Sequence, residues 1–133
     1  MKVFALILIA GILGVSSLIS AETEPIPEAM VKYKDGEVPL YDSTQLHPIT
    51  TVKPVYPTQE RRKGVQGTAI IMAVVDTDGK VVGVKVNESK PTSSFGEAGK
   101  ACVSQWHYAK LIRDGKPSAF IVRVHLSFSI NQR

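Results

Sequence analysis

The sequence predicts an α+β two-layer sandwich, a three-stranded antiparallel sheet carrying one long and one short helix. Three patterns predict it. Residues 119–130 alternate almost without a fault, with Phe120, Val122, Val124, Leu126, Phe128 and Ile130 on one face and Ala119, Ile121, Arg123, His125, Ser127 and Ser129 on the other. That is the period of a strand with one face on a core. Two strand-like segments, the apolar run 68–75 and the alternating residues 80–88, flank Asp76-Thr77-Asp78-Gly79, the composition of a hairpin turn. Phe95, Ala98, Cys102, Trp106 and Ala109 recur at three- and four-residue spacing, as on one face of a helix.

The chain opens with Lys2, an unbroken apolar or glycine run over residues 3–15, then Ser16, Ser17, Ser20 and Ala21. This is the form of a secretory signal peptide over residues 1–21. Residues 3–21 are also uncharged and close to the ~20 residues a spanning helix needs, so an uncleaved anchor is the second reading. Either one expects the remainder outside the cytoplasm.

Residues 22–53 read as a connecting arm, because Pro25, Pro27, Pro39 and Pro48 are too closely spaced for a long helix. Residues 33–41 suit a short strand or a hairpin around Asp35-Gly36. Val38, Leu40, Tyr41 and Leu46 either pack on the domain or belong to a disordered tail.

Residues 54–133 form the domain. Pro57 suits a first helical turn, followed by a short helix over residues 58–63 that Gly64 stops, with Arg61-Arg62-Lys63 as a basic cluster on it. From Ala69 to Val75 every residue is apolar, so the first long strand is expected to have both faces covered. Asp76-Thr77-Asp78-Gly79 also resembles the start of a calcium loop, but no further acidic ligand follows at that spacing, and no metal is expected. In the second strand Val82, Val84 and Val86 share one face, Gly83, Lys85 and Asn87 the other. A Ser93 or Ser94 cap starts a helix expected to run from Phe95 to Tyr108. Gly96, Glu97, Lys100, Ser104 and His107 are placed on its wet side and Cys102 in the core. A tight turn at residues 113–117 leads into the last strand, for which a sheet edge is the expectation.

Composition narrows the function. A net charge of +4 with 21% charged residues does not identify a nucleic-acid partner. The single cysteine, Cys102, permits no internal disulfide. His47, His107 and His125 have no carboxylate–nucleophile arrangement around them in sequence, so neither enzymatic chemistry nor a cofactor is expected. The basic residues Arg61, Arg62, Lys63 and Arg113 leave open a structural role on an anionic envelope surface.

From residue 54 onward the chain resembles the C-terminal domain of the TonB energy transducers. The residues that carry this are Tyr56-Pro57, Gly64 and Gly67, Val75-Asp76, Asp78-Gly79, Val81, Val84, Val86 and Ser89-Lys90-Pro91. They continue with Phe95, Trp106 and Tyr108, then Asp114-Gly115-Lys116-Pro117 and the strand ending at Phe128. The resemblance implies a periplasmic, non-enzymatic protein that binds the TonB box, an extended segment of outer-membrane receptors, by strand addition. It implies pairing along Phe120, Ile121, Val122, Arg123, Val124, His125, Leu126, Ser127 and Phe128, mainly through the backbone. Tyr56, Pro57 and Gln59 would lie near the groove entry. Inner-membrane motor proteins are implied as partners if the chain is anchored.

Three departures qualify this. The arm spans ~110 Å only when fully extended and roughly 30 Å as a coil, short for a periplasm-crossing spacer. An anchorless binding module without energy coupling, homodimeric or partner-bound, is therefore the alternative. Trp106 is followed by His107-Tyr108-Ala109-Lys110 without the family's usual proline. Ile70, Met72 and Val74 are apolar where the family is often polar, and three neighbouring apolar side chains invite a cover. The candidate covers are the arm, a second copy, or another protein.

Overall fold

The computed structural model describes residues 24–131, so the leader expected at residues 1–21 lies outside the described residues. In order come β1 (Ala29–Tyr33), β2 (Gly36–Asp42), β3 (Pro48–Thr50), α1 (Thr58–Lys63), β4 (Gly67–Val75), β5 (Val81–Lys90), α2 (Ser93–Val103), β6 (His107–Tyr108), β7 (Leu111–Arg113), β8 (Lys116–Ser118) and β9 (Phe120–Phe128). The α+β layering is as expected. The three long strands form an antiparallel centre, β5-β4-β9, and α2 packs on its inner face.

The arm enlarges that sheet. β1 and β2 form a hairpin that turns at Lys34-Asp35, and β2 runs parallel to β9, giving the order β1-β2-β9-β4-β5. Tyr41 is fully buried, Leu40 is buried, and Leu46 packs against the core, so this part of the arm is packed and not a disordered tail. The last strand is consequently not a simple sheet edge. β2 covers it at Ile121, Val122 and Arg123.

β4 alternates in burial although its sequence does not. Ala69, Ile71, Ala73 and Val75 are buried, and Ile70, Met72 and Val74 are half-buried on the outer face. The arm strands β1 and β2 extend the sheet in its plane. The ladder neighbours there are Glu88 and His125 for Ile70, Lys85 and Arg123 for Met72, and Gly83 and Ile121 for Val74. Polar side chains therefore flank much of the apolar row.

Two further expectations are corrected. Val82 is 54% exposed and Val81 takes the inner position, because a register shift between Val74 and Val75 inserts one residue and reverses the parity of the strand beyond it. The long helix ends at Val103, not Tyr108. Its last turn tightens as Ser104, Gln105 and Trp106 N–H groups donate to Lys100, Cys102 and Val103 carbonyls, satisfying carbonyls a helix end leaves open. Trp106 then turns onto the arm. Its Nε1–H donates to the Val52 carbonyl at 3.0 Å, as the Cys102 thiol does at 2.8 Å. His107 and Tyr108 leave the helix to pair with β3.

Gly96, expected on the wet side of α2, is buried, and so is Gly99. A Cβ at Gly96 would lie 2.6 Å from Val86 Cγ1, and one at Gly99 2.8 Å from Leu126 Cδ1. The bare backbone lets α2 approach the strands closely. The propensity cost of ~1 kcal/mol per glycine is offset by the packing of Phe95, Cys102 and Val103. Burial also pushes the Cys102 thiol pKa up, as suits a core residue and not a reactive one.

Candidate functional site

β9 is an interior strand along its first half and an open edge along its second. β4 pairs with one side of it from Phe120 to Phe128. On the other side β2 ends at the Asp42–Arg123 rung, after which Ser43 N–H donates to the Arg123 carbonyl at 3.0 Å. The polar groups of Arg123 therefore face β2. Because backbone groups point alternately to the two sides of a strand, those of His125 and Ser127 face the same way, past the end of β2. No strand among the described residues pairs with them there.

Hollows lie on both faces of this open edge. The inner one, about 380 Å³, is lined by Lys53, Pro54, Tyr56, Arg61 and residues 126–129. The outer one, about 290 Å³, is lined by Thr68, Ala69, Ile70, His125, Leu126 and Ser127. A strand added to the edge would send alternate side chains to the two hollows.

The inner hollow has a rigid wall. The Tyr56 ring stands edge-on to Phe95 at 5.9 Å and to Phe128 at 5.8 Å, and its hydroxyl donates to the Val65 carbonyl at 2.6 Å. The Arg61 guanidinium lies 5.6 Å from the Tyr56 ring centroid, within cation–π range. Glu60, the next residue back on α1, is 8% exposed and accepts from the Thr92 hydroxyl at 3.1 Å, tying α1 to the entry of α2. Beyond β9, Gln66 Oε1 accepts from Ile130 N–H at 2.9 Å and the Ser129 hydroxyl at 3.0 Å.

A charged cluster closes the other end. Arg123 Nη1 meets Glu28 at 2.6 Å and Asp42 at 3.4 Å, and His125 Nε2 lies 2.9 Å from the same Asp42 oxygen. The hydrogen bond with His125, helped by the Thr44 N–H, holds the Asp42 carboxyl at about 2, against an ordinary 3.8. The folded value is depressed, so the stabilisation is present above the unfolded pKa and is lost as pH falls from about 4 toward 2. Acid is accordingly expected to loosen the β1–β2 hairpin. Amide exchange at Tyr41 and Ser43 should quicken across that window in the native protein. Asp42→Asn should flatten the response, and an unchanged acid response in that variant would refute the cluster as its source.

The residues the sequence singled out are partly brought together. Tyr56, Leu126, Ser127 and Phe128 share the inner hollow, and Ile70, His125, Leu126 and Ser127 the outer. Phe120, Val122 and Val124 face the core, and Ile121 lies beside Leu40 in the half of the strand that β2 pairs with. Pro57 starts α1; Gln59 is exposed on that helix, and Arg61 lines the hollow in its stead. Met72 and Val74 line neither hollow. Lys53, Pro54 and Asp42 escaped the sequence reading. No local pattern marks them, because their role depends on which distant strand they lie against.

Comparison with known proteins places this geometry. The sequence profile of the family described as Gram-negative bacterial TonB protein C-terminal matches residues 52–130. The Protein TonB of Xanthomonas campestris pv. campestris (strain B100) is 32% identical over 78 residues, covering 59% of this chain and 35% of that protein. The Protein TonB of Pseudomonas aeruginosa is 23% identical over 92 residues, covering 69% of this chain and 27% of that protein. The chain thus spans about a third of the length of the curated relatives it matches. Among solved structures, the solution NMR structure of the Pseudomonas aeruginosa TonB C-terminal domain superposes with a TM-score of 0.57 at 22% identity, covering 80% of this chain and 99% of that one, a likeness of fold.

Proposed function

The chain belongs to the TonB C-terminal family, and from that premise we propose that it captures an extended peptide segment, the TonB box of an outer-membrane transporter, by strand addition at the open half of β9. In this reading it works in the periplasm and contributes to energised uptake across the outer membrane. The observation that carries the proposal is the unpaired edge at His125 and Ser127 with a hollow on each face. Main-chain hydrogen bonds supply affinity and the hollows select alternate side chains. Lys53 and Arg61 at the inner hollow favour an acidic residue on the peptide. Among the described residues no helix is long and apolar enough to cross a membrane. Engagement of inner-membrane motor proteins therefore belongs to the proposal only in the form that keeps residues 1–21 as an anchor.

Titrating isotope-labelled protein with a synthetic TonB-box peptide tests the reading. Amide shifts are expected along residues 124–128 and at Tyr56 and Arg61. Ser127→Pro is the sharper probe. It removes an N–H that faces the open side and leaves the β4 ladder its donors, at a stability cost tolerable for an edge position. Binding should fall at least about tenfold, the worth of one or two lost main-chain bonds. Undiminished binding by a folded Ser127→Pro protein, or no shifts at millimolar peptide, would sink strand addition at this edge.

A further inference from the structure

We propose that the β1–β2 hairpin is a displaceable intramolecular occupant of the same edge, so that a captured strand longer than the open half must evict β2 from Ile121, Val122 and Arg123. This rests on the peptide-capture reading and adds its regulation. β9 offers 9 residues, and β2 already pairs with three of them, in parallel. The first half of the edge is therefore already engaged in the pairing that strand addition requires.

The boundary between occupant and open edge is abrupt. After Asp42 the arm turns away, with Gln45 N–H donating to the Asp42 carbonyl at 2.9 Å and Thr44 N–H to the Asp42 carboxylate at 3.1 Å. A strand on His125 and Ser127 would meet this turn end-on and could go no further while it stays in place. Short ligands coexist with the hairpin; long ones compete with it.

Its attachment suits displacement. Three rungs hold it to β9; on the outer face the buried Leu40 and Ile121 sit side by side, and the ties to Arg123 and His125 are polar and partly exposed. The inward anchor is Tyr41, fully buried with its ring edge-on to Phe120 at 6.1 Å. Eviction vacates that position, so a competing strand must bring a bulky apolar side chain to fill it. The hairpin thereby screens ligands by length and by one inward side chain.

The test uses the full chain with Leu40→Cys and Ile121→Cys, which are direct register partners. Two TonB-box peptides serve as probes, one long enough for residues 124–128 and one for Phe120–Phe128. The disulfide form should bind the short peptide as the reduced form does, but the long one about tenfold more weakly, within the range of coupled sites. Equal affinity of both forms for the long peptide would overturn the inference while leaving capture standing. Binding of neither peptide by either form would overturn capture itself, and the inference with it. In the unmodified protein the long peptide should also speed amide exchange at Tyr41 and Ser43. Unchanged exchange at saturation would refute displacement independently of the cysteine pair.

Discussion

Phe95→Ala is expected to lower the unfolding free energy by about 3–5 kcal/mol, the range for a fully buried phenylalanine. Phe95 is 0% exposed and is the ring on which two others lean, Tyr56 at 5.9 Å and Phe128 at 5.0 Å. It is hemmed in from the strand side as well, since even a Cβ at Gly67 would run into its ring. A cavity there has few ways to collapse, which places the loss high in the range. Because domains of this size hold about 5–15 kcal/mol in all, the variant should be marginal. A shifted urea midpoint with an unchanged slope would register this as lost stability. Peptide affinity should fall too, since Tyr56 and Phe128 wall the inner hollow. A loss under about 1 kcal/mol, the size of an ordinary surface effect or less, would contradict the packing described.

Gly79→Ala is expected to cost about 2–4 kcal/mol. A left-handed backbone costs an L residue about 1–2 kcal/mol, and Gly79 has φ +89. The remainder is a collision, for a Cβ at this position would run into the Tyr108 carbonyl. Tyr108 cannot easily give way, because its N–H donates to the Gly79 carbonyl at 2.7 Å and its ring is buried against Phe120. Gly115→Ala is the control. Gly115 has φ +79, but nothing lies within 4 Å of its Cβ position, so only the conformational part should appear. The difference between the two midpoints measures the collision, and equal losses would refute it. Displacing Tyr108 should also disturb its pairing with Pro48 in β3, and so the arm.

The capture reading and the hairpin inference meet at one residue. Asp42 ends the last β2 rung and caps the turn that closes off the open edge; it also holds Arg123 and His125. Weakening it by acid or by substitution should therefore alter exchange in the hairpin and access of long peptides together.

Local pattern decided much of this molecule. The alternation over residues 119–130 marked β9, the Asp76–Gly79 turn marked the β4–β5 hairpin, and Gly64 marked the end of α1, where it takes φ +70. Such features depend on neighbours a few residues apart, which the sequence displays directly. Tertiary structure alone decided the rest. The uniformly apolar β4 carries no sign of which residues face α2, and parity in β5 flips at a bulge fixed by its pairing with β4. Gly96 and Gly99 read as weak points of the helix until α2 was laid against Val86 and Leu126. The pairing of Asp42 with Arg123, and with it the division of β9 into a covered and an open half, joins segments far apart in the chain. Hydrophobic periodicity sets which face of a strand is buried, but it does not set which edge finds a partner. Backbone donors and acceptors are the same at every residue, so that choice falls to the packing of Tyr41 and the charges around it.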